Sequence, residues 1–378
     1  MKIAIFSENL LGILSSSGGA EVYALKLAEC LMKEHDVTVF TLGNKHTENP
    51  DNVLQKYNIN NSLKVIVLPF VHSKNLLFDI PKRIFLWCKL NKIMTNEYDC
   101  FVNTTHNRML GFRKIKSVHL IHFPVKNYTA VLPNILGRIM NRAYKKSYSL
   151  FIANSLFTQY HIKKEWNCES FVLNPPIDMK PIDSDELNKK EPVLLMVGRI
   201  VPDKRIKEIV DFFESVKDFP KLQKYKLIIA GNKDSKNEEF YEYLKLKEKQ
   251  GRIAVCSNLS YQELVRIYRR SLIFIHAKGF LESDENPMQM EHFGMTTVEA
   301  MANGCIPLVI NKAGQKEIVE QGISGYLWND LRELRTFLLD TISDSEKIYN
   351  LQIHAIEKSK KYLINSFSEN ALKIFSNL

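Results

Sequence analysis

Short apolar runs separated by stretches with helical spacing recur along the whole chain. The first run, KIAIF at 2–6, leads into a loop over 7–17 and then Gly18-Gly19-Ala20-Glu21. A helix is expected over 20–33, with Val22, Leu25, Leu27, Ala28 and Leu31 on its apolar face. DVTVFTL at 36–42 is the next run. Strand, glycine-containing loop, helix, strand is a Rossmann-type opening, although no GxGxxG follows the first strand. Further strands are expected at 65–69, 100–103, 117–122, 150–153 and 171–174, and helices over 76–94, 135–146 and 156–165. Asn154-Ser155 is the N-cap signal of the last of these.

The pattern pauses at 181–190, PIDSDELNKK, a polar segment read as part of a linker over 178–190. It then resumes. Apolar runs at 192–197, 226–230, 253–256, 272–276, 305–310 and 325–328 are strands of a second α/β series. Asp203-Lys204-Arg205 opens a helix, a charged helix covers 238–250, and Ser260-x-x-Glu263 is a capping box for a helix to Arg270. The tail is helical. The fold class is therefore α/β with two domains, the first over 1–177 and the second over 191–359.

Composition adds bounds. At 378 residues, 45% apolar and 25% charged, the chain has the size and make-up of a two-domain globular protein. No run of 18 apolar residues occurs, and the first strand, broken by Ser7, Glu8 and Asn9, does not read as a signal peptide. The six cysteines form no CxxC, which leaves no zinc or redox motif and suits a reducing cytoplasm. Charge is uneven. Residues 1–177 hold 22 Lys/Arg against 12 Asp/Glu, whereas 178–378 hold 30 of each. Such a basic half suits an anionic membrane surface, an anionic acceptor, nucleic acid or simply solvent.

The chemistry concentrates in EHFGMTTVEAMANGCIP at 291–307. Glu291 and Glu299 flank a glycine turn and a short helix, and Thr296 three residues before Glu299 reads as that helix's N-cap. A helix N-terminus approached by a glycine turn is suited to phosphate. Gly198-Arg199 and Lys204 stand just beyond a strand end, where open α/β sheets bind ligands. Fixed cations and a helix N-terminus placed together can stabilise negative charge that develops on a phosphate leaving group. Asp183-Ser184-Asp185 matches a metal-binding DxD but lies in the polar linker and reads as solvated charge.

The order GGAE (18–21), IHFP (121–124), NSLFT (154–158), LNPPID (173–178), GRIVPDK (198–204) and EHFGMTTVEAMANGCIP resembles the family 4 retaining glycosyltransferases, also described as glycosyl transferases group 1. The resemblance implies two facing Rossmann-like domains with a central cleft (GT-B), a tail helix over about 360–378 crossing back to the first domain, and a hexosyltransferase. It implies that Arg199 and Lys204 bind the donor diphosphate and Glu299 the ribose. Phe293, Gly294, Met295 and Thr296 would offer the turn and helix start to sugar and phosphate, with Gly18 and Gly19 approaching from the first domain. Glu291 would lie by the transferred sugar and His122 by the reacting centre, with no metal and no cofactor. EHFG, together with IHFP, is similar to the lipid-linked-oligosaccharide mannosyltransferase branch, which tilts the donor from a UDP-sugar toward GDP-mannose and the acceptor toward a glycan or lipid-linked glycan. The connection over 278–290, with Glu282, Asp284 and Glu285, is longer than usual for the family and open to two readings, an acceptor cover or a disordered loop.

His119 is expected in the core, and His276 is open to either a site or a packing reading. The basic amphipathic stretches 76–94 and 135–146 are expected to rest on an anionic membrane, placing the protein peripherally on the cytoplasmic face. A nucleotide-sugar epimerase of the same architecture and a basic nucleic-acid-binding protein are the alternatives. No nucleic acid is expected, and nothing signals the pyridoxal phosphate lysine of a glycan phosphorylase.

Overall fold

The computed structural model describes residues 1–12, 18–44, 47–70, 76–106, 110–125 and 134–378. Part of the loop read at 7–17, and the side chains at the start of the helix read at 76–94, lie outside the described residues. The chain divides into two units, 1–176 with 364–378, and 177–363.

In the first unit, β1 (Lys2–Phe6), α1 (Gly19–Leu31), β2 (Asp36–Gly43), α2 (Pro50–Lys56) and β3 (Lys64–Pro69) are followed by α3 (Leu76–Glu97) and β4 (Cys100–Asn103). Then come β5 (Lys116–Ile121), α4 (Asn134–Ser147), β6 (Leu150–Ala153), α5 (Leu156–Trp166) and β7 (Phe171–Val172). The strands form one parallel sheet in the order β3-β2-β1-β4-β5-β6-β7. Its central strands are buried almost throughout, because helices cover both faces of a parallel sheet and leave no face for water. Ser155 caps α5 as its sequence signals, accepting from the Thr158 N–H at 3.0 Å.

The second unit has β8 (Glu191–Val197), α6 (Ile206–Val216), β9 (Lys226–Gly231), α7 (Glu238–Lys249), β10 (Ile253–Ser257) and α8 (Tyr261–Arg270). It continues with β11 (Ser271–His276), α9 (Met295–Ala302), β12 (Ile306–Ile310), α10 (Gln315–Ile318), β13 (Tyr326–Trp328), α11 (Leu331–Thr341) and α12 (Ser345–Ser359). Its parallel sheet runs β10-β9-β8-β11-β12-β13. The tail helix α13 (Ile364–Ser376) packs on α1 of the first unit, where Phe367 meets the Tyr23 ring edge-on at 5.6 Å.

Both sheets reverse their strand order once, between β1 and β4 and between β8 and β11. A reversal point leaves a crevice beyond the carboxyl ends of its strands, and that is where such sheets take ligands. The segment 178–190, read from its polarity as a linker, packs onto the second unit. Ile182 and Leu187 are buried with Ile356 of α12. Asp183 and Asp185 are exposed there, as solvated charges.

Candidate functional site

In the second unit, the residues following β8 and β11 meet at the reversal point. Gly198, Arg199, Lys204, His276 and Ala277 line one small pocket there. Next to it, glycine is required at 231, the last residue of β9, because a Cβ would come 1.7 Å from the Gly198 carbonyl oxygen. After Gly198 the chain makes a tight turn over 202–204. Arg205, in the left-handed region at φ 58°, then starts α6. The helix thus begins after Asp203-Lys204-Arg205 rather than with them.

That turn faces the connection from β11 to α9, and each of its three charged residues pairs with it. Lys204 Nζ lies 2.7 Å from Glu291 Oε2, Lys278 Nζ lies 3.6 Å from Asp203, and Arg205 donates to Glu282. Lys312 donates to the Glu282 carbonyl, and Asn286 Nδ2 to Glu282 Oε2 at 3.2 Å. The long connection is therefore an ordered arm of this unit. Phe280 anchors it against Trp328, with ring centroids 5.3 Å apart. Glu282 is committed to pairs within the unit, whereas Asp284 and Glu285 are exposed.

Glu291 is the electrostatic centre. Burial alone would raise its carboxyl, but Lys204, the hydrogen bond from His276 and the more distant Lys278 together hold it well below the ordinary carboxylate range. His276 Nε2 lies 3.3 Å from the same Oε2, and burial pushes its imidazole down despite the neighbouring carboxylate. A neutral imidazole donating from Nε2 to an ionised Glu291 satisfies both shifts. His276 thus lies at the candidate site, beside Glu291.

Beyond Glu291 the chain enters α9. Its N-cap is Gly294 at φ 120°, a conformation open to glycine, and a Cβ there would come 2.5 Å from Gln315 Nε2. Thr296 is therefore not the N-cap. The helix starts two residues earlier than its capping-box pattern suggests, and the Glu299 carboxylate does not reach back to it. Instead the Tyr268 hydroxyl of α8 donates to Glu299 Oε2 at 2.9 Å. Burial raises the Glu299 carboxyl to about 7, opposed only by that hydrogen bond. Phe293 is buried against the Tyr362 ring, so its backbone alone borders the turn. Arg199 is exposed beside the pocket.

The first unit gathers a second polar group at its own reversal point. Glu8, just past β1, is buried and accepts from Arg83 Nη1 at 2.8 Å. His122, just past β5, is buried, with its ring centroid 4.9 Å from His106 and 5.9 Å from Tyr23. Its Nε2 lies 3.2 Å from the Thr104 carbonyl oxygen. Glu8 and His106 escape sequence reasoning, since neither stands in a recognisable motif. Gly18 caps α1, and its N–H donates to Glu21 Oε2 at 2.7 Å. His119 is the expected core histidine, buried between the Tyr144 hydroxyl at 2.5 Å and Asn103 at 3.3 Å. No group of three or more His, Cys, Asp or Glu that could hold a metal occurs among the described residues.

Comparison with known proteins gives this arrangement a family. The model of glycosyltransferase family 4 matches residues 17–180, and that of glycosyl transferases group 1 matches 180–361. A GDP-Man:Man(3)GlcNAc(2)-PP-Dol alpha-1,2-mannosyltransferase of Dictyostelium discoideum is 23% identical over 74% of this chain, which spans only 59% of that relative. Spore coat protein SA of Bacillus subtilis is 23% identical over 99% of both chains. Among solved structures, Anabaena Alr3699/HepE in complex with UDP-glucose superposes with a TM-score of 0.72 at 17% identity, covering all of both chains. The pneumococcal O-GlcNAc transferase GtfA, in complex with UDP and GlcNAc, gives 0.73 at 12%, covering 100% and 99%. The two parallel-sheet α/β units are those of the GT-B fold, and the chain belongs to the family 4, group 1 glycosyltransferases.

Proposed function

We propose that this glycosyltransferase moves a hexose, with retention and without a metal, from a nucleoside-diphosphate sugar to a glycan or lipid-linked acceptor. The observation that carries the reading is the Lys204–Glu291–His276 cluster at the second unit's reversal point, adjoining the N-terminus of α9. Arg199 and Lys204 supply cations, and the Gly294–Thr296 backbone supplies unpaired N–H groups, for the diphosphate. Stabilising the charge that develops on this leaving group is the main work the protein must do. Glu291, held ionised, lies by the transferred sugar, where a carboxylate favours positive charge developing at the anomeric carbon. Glu299 receives the ribose hydroxyls. In the first unit, His122 is assigned to the reacting centre, and Gly18 and Gly19 to the donor phosphate. Similarity to mannosyltransferases favours GDP-mannose as donor, and the UDP-bound structural relatives keep a UDP-sugar in contention.

The same reading places the protein peripherally on the cytoplasmic face of a membrane. On α4, Ile135, Leu136 and Ile139 are exposed beside Arg138 and Arg142. On α3, Ile84 and Phe85 are exposed beside Lys82 and Lys89. Apolar side chains among basic ones suit reversible binding to anionic lipid. Arg83 is not part of that surface, because it turns toward Glu8. No described helix is long and apolar enough to cross a membrane.

Donor turnover tests the proposal. Incubated with GDP-mannose or UDP-glucose in EDTA, the enzyme is expected to release the hexose first as the anomer present in the donor, followed by proton NMR. First release of the opposite anomer contradicts retention. Conversion of the intact donor to its epimer, with no hexose released, favours the epimerase.

A further inference from the structure

The ribose-binding role proposed for Glu299 leaves open what keeps that carboxylate in place. No Lys or Arg pairs with it among the described residues, and Asn303 Nδ2 holds only its backbone carbonyl, at 2.8 Å. The carboxylate itself is held by a fully buried tyrosine on a different helix. The Tyr268 hydroxyl lies 2.9 Å from Glu299 Oε2 and 3.4 Å from the Thr296 carbonyl oxygen. Filling the core would need only the ring, so the hydroxyl's contacts are what distinguish tyrosine from phenylalanine here.

Tyr268 is itself fixed. The Lys190 ammonium donates to the carbonyls of Tyr268 at 2.9 Å, Ser271 at 2.8 Å and Asn303 at 2.5 Å, and the Cys305 thiol also donates to the Tyr268 carbonyl. One lysine thereby ties the end of α8 to the end of α9 through the carbonyls where the two helices terminate. The two helices that carry Tyr268 and Glu299 are locked at the ends remote from the α9 N-terminus.

We propose that Tyr268 is a positioning residue of the nucleotide site, its hydroxyl orienting the Glu299 carboxylate to receive the ribose. This rests on the ribose role of Glu299. A carboxylate left to rotate in that pocket loses both its fixed direction and the one donor that offsets its burial. Tyr268 and Tyr261, both on α8, are the titratable groups that face it. α10, α12, β11 and β12 also pack against α9, and among the described residues none of them gives the Glu299 carboxylate a charged hydrogen-bond or ion-pair partner.

The test is calorimetric titration of GDP and UDP into wild type, Tyr268→Phe and Glu299→Gln at pH 7 and pH 9. Thermal melts check that each variant is folded. Losing one hydrogen bond to a charged group predicts that Tyr268→Phe binds about tenfold more weakly at pH 7. Because that bond favours the ionised carboxyl, the ratio to wild type shrinks at pH 9, where Glu299 is ionised in both proteins, and phosphate titration cancels in the ratio. Unchanged affinity at pH 7, or an equal loss at both pH values, overturns the proposal while leaving the ribose role intact, provided Glu299→Gln binds more weakly. If Glu299→Gln binds as wild type does, or wild type binds neither nucleotide, the ribose role fails and the inference with it.

Discussion

Lys204 and Glu291, 87 positions apart in sequence, meet at 2.7 Å beyond the ends of β8 and β11. The proposed diphosphate lysine and the carboxylate proposed to lie by the sugar are each other's counter-charge. On the proposed reading, a diphosphate would compete for Lys204 while His276 keeps its hydrogen bond to Glu291. Lys204→Met should leave Glu291 with one strong partner fewer, so its carboxyl rises toward and above the ordinary range. A depressed carboxyl stabilises the fold above its unfolded value and loses that contribution as pH falls through its folded value. The variant should therefore melt below wild type at pH 7, with the gap narrowing as the pH is lowered below 5. Melting curves across that range check it, and a gap that widens in acid contradicts the pairing.

Glu299 has the opposite sign. Its folded carboxyl sits at about 7, above the usual carboxylate value, so its ionisation opposes folding as pH rises from the unfolded value through 7. Glu299→Gln, which removes that ionisation, should gain stability relative to wild type between pH 5 and pH 8. Melting temperatures of the pair across this range give the answer, and a difference independent of pH would show that the carboxyl titrates normally.

Gly294 should not tolerate a side chain. At φ 120° an alanine is strained, by about 1–2 kcal/mol for the left-handed backbone, and its Cβ would press on Gln315. Gly294→Ala should lower the melting temperature and also abolish nucleotide binding, because the start of α9 moves. Calorimetry on protein shown by circular dichroism to be folded separates the two effects. Full nucleotide affinity in a folded variant would exclude the α9 start from the site.

The arm from Lys278 to Met290 is held by the Arg205–Glu282 pair and by Lys312 on the Glu282 carbonyl. Glu282→Ala should loosen it, so that the backbone around the already exposed Leu281 can unfold into a protease site. Limited proteolysis should then cut the variant within 278–290 faster than wild type, with the rest of the fold intact. Equal cleavage would mean that the Phe280 anchor suffices.

Much of this was legible in the sequence because it depends on local signals. Apolar runs fixed which segments are strands, and Ser155 and Ser260 cap their helices as their sequence neighbours require. The short helix α2 was missed although Asn49-Pro50 announces it, with Asn49 Oδ1 accepting from the Asp51 N–H at 2.9 Å. Thr296 misled because a capping box is only a spacing, and a tertiary donor, Tyr268, took the glutamate that the box would have used. Lys190, Tyr268, His276 and Glu8 act through partners 15 or more residues away, joined only when the sheets order their strands. Spacing along the chain carries no trace of such pairs. The arm's order was equally hidden, since Glu282 finds Arg205 only after β8 and β11 become neighbours.

Titration of GDP, UDP and ADP in EDTA, into wild type and Lys204→Ala, tests the central claim most directly. The account predicts micromolar binding of one nucleotide, weakened on the order of 10- to 100-fold by the substitution, the scale of one hydrogen bond to a charged group. Binding of none of the three, or binding indifferent to Lys204, would contradict a nucleotide-sugar site at the β8–β11 reversal point.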